Sequence, residues 1–118
     1  MNSSPVRFVR DPISRAELVV LAQSLFGDMV KAVVDVERCV MVVGAELHSD
    51  EEAMLLDDGS VQRNVWGINL YPAVSGDGFV EFDSLINVRP SQHNPSREVV
   101  DEQVRARIRD VISRLVAE

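Results

Sequence analysis

The stretch "MVKAVVDVERCVMVVGAEL", residues 29–47, decides the fold. Two runs rich in β-branched residues flank the polar pair Glu37-Arg38, the pattern of two antiparallel strands joined by a tight hairpin. Arg38-Cys39 is a poor turn pair, so the turn type stays open. Toward the N-terminus, "PISRAELVVLAQSLFG" (12–27) carries the clearest helix signal of the chain. Ser14 stands as N-cap with Glu17 three residues on, a capping box, and Ile13 and Leu18 are placed to form a hydrophobic staple. Leu18, Leu21, Ala22 and Leu25 recur at helical spacing, and Gly27 stands where a left-handed residue closes a helix. Before this helix, "PVRFVR" (5–10) reads as a short strand stopped by Asp11-Pro12.

Toward the C-terminus, Ser49 and Glu52 form a second capping box and Gly59 closes a short helix. Asp50, Glu51 and Glu52 sit in its first turn, where the helix dipole favours acids, whereas Asp57 and Asp58 oppose that dipole at the far end. "VQRNVWGINLYP" (61–72) and "GFVEFDSLINVRP" (78–90) read as two further strands around "AVSGDG" (73–78), whose Gly76, Asp77 and Gly78 supply positive dihedrals. The last twenty residues, 99–118, place Val100, Val104, Ile108, Val111, Ile112 and Leu115 on one helical stripe. With no linker or repeat, the expectation is one α+β domain over residues 1–118 in the order β-α-β-β-α-β-β-α. Its three helices pack in two layers on a mainly antiparallel sheet of about five strands.

The 118 residues are 46% hydrophobic, enough for a core without metals or disulfides, and the net charge of −7 makes this an acidic protein that repels nucleic acid and anionic lipid. The single cysteine, Cys39, allows no intramolecular bridge and points to a reducing compartment. "MNSSPVRFV" has no signal-peptide core and no apolar run approaches a membrane span, so the expected location is the cytoplasm.

Three groups of residues could carry function. On a strand, Glu46 and His48 would project to one side, and the following turn could bring Asp50, Glu51 or Glu52 beside them; Glu46, His48 and Glu51 are the candidate ligands of a divalent ion. His48 is the only nitrogen donor there and no H-E-x-x-H spacing occurs, while the helix start already accounts for 49–52 and leaves His48 unexplained. The loop "NVRPSQHNPSR" (87–97) gathers Arg89, Ser91, Gln92, His93, Asn94, Ser96 and Arg97, either as a polar connector or as a seat for a phosphate or carboxylate. Finally, "INLYP" and "INVRP" place Asn69 and Asn87 in mid-strand, where asparagine is disfavoured. Alternation sends Trp66, Ile68, Leu70, Val80, Phe82, Ile86 and Val88 to the core and Asn69, Glu81, Asp83, Asn87 and Arg89 outward. The outer face, with pairs such as Asp83 to Arg89, would be solvated, a polar cleft or a dimer interface. No G-x-S-x-G, G-x-G-x-x-G or Walker pattern is present.

The phrases "FGDMVKAVVDVE", "GAELHSDEE", "WGINLYP" and "FDSLINVRPSQ" together resemble a family of small stand-alone prokaryotic proteins catalogued as a domain of unknown function. The similarity runs over nearly the whole chain and implies a single full-length domain; no catalytic residue comes with it. The expected function is a non-enzymatic binding or assembly module, a homodimer with no resident cofactor, which binds a small anion or a protein partner through Asn69, Asp83, Asn87, Arg89, Ser91, His93 and Arg97. The alternative is a small metal-dependent hydrolase with an ion near Glu46 and His48, assisted by Asp83.

Overall fold

The computed structural model describes residues 5–118. The readings that rest on residues 1–4, the start of the expected domain and the missing leader signal, lie outside the described residues. In chain order the elements are β1 (Arg7–Val9), β2 (Ile13–Ser14), α1 (Arg15–Ser24), β3 (Val30–Asp35), β4 (Val40–Val43), α2 (His48–Asp57), β5 (Val65–Leu70), β6 (Val80–Glu81), α3 (Glu102–Leu115) and β7 (Val116–Ala117). The main sheet has the order β1-β4-β3-β5-β6, all pairs antiparallel. This is the α+β class with three helices and a five-stranded antiparallel sheet read from the sequence.

The central hairpin forms as the β-branched runs require, with Asp35 opposite Val40. Its turn is settled by Asp35, whose buried Oδ1 accepts from the amides of Glu37 and Arg38 at 2.8 and 2.9 Å. Cys39 completes it in the left-handed region at φ 54. α1 begins at the predicted capping box, Ser14 and Glu17 each bonding the other's backbone N–H. The two-residue strands β2 and β7 pair in parallel, a clasp between the two ends of the described chain that the sequence reading lacks.

Alternation along the strands divides the interior. Val30, Ala32, Val34, Met41, Val43, Trp66, Ile68 and Leu70 face α1 and α3 in the larger core, and Trp66 is buried there as expected. Val33, Val40, Val42 and Val65 face the other way, against Leu55 of α2. The second face of the expected two-layer arrangement, read as solvated, a polar cleft or a dimer interface, is therefore covered in part by α2. The physical cause is visible in β3 and β4, whose runs are apolar on both faces rather than alternating.

Four expectations of local structure change. α2 starts at His48 with Leu47 as an N-cap that makes no side-chain hydrogen bond, so Ser49 and Glu52 do not form a capping box. The last expected strand ends after Glu81, and a 3-10 turn over Leu85–Asn87 inverts the later positions. Asn87 and Arg89 are buried and Val88 is exposed. Val100 precedes α3, whose N-cap is Asp101, and is exposed; of the glycine turn, Gly76 alone takes a positive φ.

Candidate functional site

Three neighbouring strands of the sheet, β3, β5 and β6, place Lys31, Asn69 and Glu81 in register, Lys31 opposite Asn69 and Asn69 opposite Glu81, so the three form one row on the sheet face that carries α2. The row runs cation, amide, anion. Lys31 is the chain's single lysine. Among the described residues neither Lys31 nor Glu81 has an ion-pair partner, although Lys31 lies 5.1 Å from the centre of the Phe26 ring.

Above this row opens a cleft of about 470 Å³, walled by the start of α2 (Leu47, His48, Ser49) on one side and by residues 83–86 and Arg97 on the other, with Met29 at the strand end. The sequence candidates His48, Asn69, Asp83 and Arg97 meet there. Asp83 pairs with Arg97 at 2.9 Å, not with Arg89 as expected, because the chain turns at Ser84 and brings Arg97 back alongside. Asn69 is 6% exposed. Its Nδ2 donates to Glu81 Oε1 at 2.8 Å and to the Asp83 carbonyl at 3.2 Å, and Tyr71 donates to the same Glu81 oxygen at 3.1 Å. Two acceptors on one side fix the amide's orientation, and Asn69 Oδ1 is left buried with no donor.

His48, the residue that capping left unexplained, is half-buried as the first residue of α2. Its Nε2 lies 2.8 Å from the Ile68 carbonyl. A carbonyl only accepts, so Nε2 carries the proton and the neutral ring keeps its lone pair on Nδ1. Burial lowers the His48 pKa below the ordinary histidine value, reinforced by the Lys31 charge and opposed by the hydrogen bond to the Ile68 carbonyl, by the Asn69 side chain and by the Asp83 charge.

Glu46 stands exposed in the bend before α2 rather than on a strand with His48. Glu51 is fully buried; its Oε2 accepts from the Ala45 amide at 3.0 Å while Oε1 has no partner. Burial pushes its pKa up to about 9, so it is a neutral acid at pH 7. Among the described residues no group of three or more His, Cys, Asp or Glu is arranged to hold a metal ion.

The 87–97 loop divides by role. Asn87 presents its amide to Gly67 as a neighbouring strand would, accepting from the Gly67 N–H at 2.8 Å and donating to its carbonyl at 2.9 Å. Gly67 permits this approach because a Cβ there would lie 2.5 Å from Ser84 Cβ. Arg89 donates to the carbonyls of Ile86 and Gln62 at 2.9 Å each, reaches Glu52 at 3.3 Å, and lies 4.7 Å from the centre of the Trp66 ring. Asn94 bonds three carbonyls and the Val100 amide. Ser91 and His93 are exposed, and His93 lines a separate hollow with Arg63, Trp66 and Arg107.

Lys31 and Glu81 are the cleft residues that the sequence reading missed as candidates. A solitary lysine inside "MVKAVVD", an otherwise apolar strand, was the available signal for the first; Glu81 appeared only as one outward acid among several. Asp58, the acid that opposed the α2 dipole, is explained by Arg38 and Arg10, which hold it at 2.7 and 2.8 Å and lower its pKa.

An antiparallel α+β domain with a polar cleft between sheet and helix is the class that fold and site define. The chain belongs to the family described as "Protein of unknown function (DUF5674)", whose model matches residues 7–115. Comparison with curated proteins and with solved structures returned no match. Among the described residues no helix is long and apolar enough to cross a membrane.

Proposed function

We propose that the protein is a non-enzymatic binding module and that the cleft at the start of α2 seats a small ligand. One observation carries this reading: a buried amide, Asn69, keeps an unsatisfied oxygen beneath an open cleft that it lines together with Lys31 and Glu81, a lysine and a glutamate that have no ion-pair partner among the described residues. Stranding a buried acceptor costs about 1–3 kcal/mol, and a ligand donor would recover much of it. The apolar surface of Leu47, Leu85 and Ile86 along the rim would cover such a ligand. A metal-dependent hydrolase at Glu46 and His48 is less well supported, since Glu46 stands in solvent and Glu51 would have to surrender a buried proton.

The test is native mass spectrometry on protein purified without chelator or tag, with NMR to locate any adduct. Binding predicts a small-molecule adduct, or amide shifts at His48 and Asn69 when extracted metabolites are added. A divalent metal at one per chain, lost in His48→Ala, would favour the hydrolase instead.

A further inference from the structure

The charges around the cleft are divided, and the division specifies a ligand. On the donor side stand Lys31 and the first turn of α2. Leu47 caps that helix without a side-chain hydrogen bond, and the His48 and Ser49 amides have no partner among the described residues. Uncapped amides at a helix N-terminus and a neighbouring ammonium together favour a carboxylate. On the acceptor side stand Asn69 Oδ1, buried with no hydrogen-bond partner among the described residues, and Glu81, which accepts from Asn69 and Tyr71 but has no ion-pair partner among the described residues. These accept an ammonium. Strand register keeps the two sides apart by two inter-strand steps, on the order of 10 Å between the Lys31 and Glu81 backbones, which stops the protein's own charges from closing on each other.

Other ligand classes fit less well. A phosphate dianion would meet Glu81 and Asp83 on the far wall, and a simple amine would leave Lys31 and the α2 amides unanswered. Arg97 does not tip the balance, because Asp83 already neutralises it. Between the polar walls, Leu47 and Leu85 are 54% and 70% exposed and give an apolar rim for a hydrocarbon group. From this arrangement we infer that the cleft binds a free α-amino acid with an apolar side chain, its carboxylate on Lys31 and the α2 amides, its ammonium on Asn69 Oδ1 and Glu81. This inference rests on the cleft being a ligand site.

The experiment is calorimetric titration of the full chain with L-leucine, leucinamide, which lacks the carboxylate, and 4-methylpentanoate, which lacks the ammonium. L-Leucine should bind, and each analogue should bind about tenfold or more weakly, the worth of one charge-assisted hydrogen bond. Lys31→Gln should erase the difference between L-leucine and leucinamide, and Glu81→Gln the difference between L-leucine and 4-methylpentanoate. An analogue that binds as well as L-leucine, or no binding by L-leucine at millimolar concentration, overturns the inference. If a different adduct is then found on the native protein and vanishes in Lys31→Gln, the cleft reading survives alone. If His48 and Asn69 amide resonances ignore every extracted metabolite as well, both readings fall.

Discussion

At the scale of single residues, the protein hides two polar side chains whose roles are opposite. Asn87 completes a pairing: it answers both backbone groups of Gly67. Asn87→Ala strands a buried donor and a buried acceptor, and should lower the unfolding free energy in urea by about 2–4 kcal/mol. Glu51 leaves one incomplete. Its carboxyl is raised from the ordinary 4.5 to about 9 by burial, so its favourable share of stability is fully present below pH 4.5 and is lost as pH rises toward 9. Glu51→Gln holds the neutral form at every pH. Compared with the wild-type protein it should be about 1–3 kcal/mol more stable at pH 8 and no more stable at pH 4, measured by denaturation at both values. An equal effect at the two pH values would mean that Glu51 is ionised in the fold.

At the scale of elements, the two arginines that the sequence presents alike in "RPSQHNPSR" separate. Arg89 ties the 3-10 turn at 85–87 to residue 62 and to α2 through a guanidinium fork, buried against Trp66. Lysine cannot reproduce that fork, so Arg89→Lys should cost about 2–3 kcal/mol. Arg97 is exposed and holds a surface pair with Asp83, and Arg97→Ala should change stability by less than about 0.5 kcal/mol in the same assay. What was legible follows the same division. The central hairpin, the Ser14–Glu17 capping box and the α3 stripe depend on neighbours within a few residues, and periodicity and cap chemistry show them directly. The end of β6 at Glu81, the inverted burial of Asn87 and Arg89, and the meeting of Lys31 with Glu81 depend on partners tens of residues away. Alternation alone continued the strand through Arg89 because nothing local marks where Ser84 turns it. His48 was legible only as a residue that capping did not explain.

At the scale of the whole molecule, the parallel pairing of Ile13 with Val116 and Ser14 with Ala117 joins the segment that leads into α1 to the segment that follows α3, helped by Arg15 and Glu118 at 3.2 Å. Removing residues 116–118 should lower the melting temperature by about 3–6 °C, read by scanning calorimetry, without disturbing the cleft. In the five-stranded sheet, the margin beyond β5 is protected differently. β6 pairs only with Asn69 and Leu70, and one side-chain amide occupies the Gly67 position that a longer strand would have filled. An unpaired strand margin is a template on which other chains assemble, and Asn87 blocks it without offering a new one. Taking that amide away would therefore do more than loosen the fold. It would free the Gly67 N–H and carbonyl, beside the Ser84 and Ile86 side chains that crowd that glycine, and turn a sealed margin of the sheet into a nucleus for fibrils.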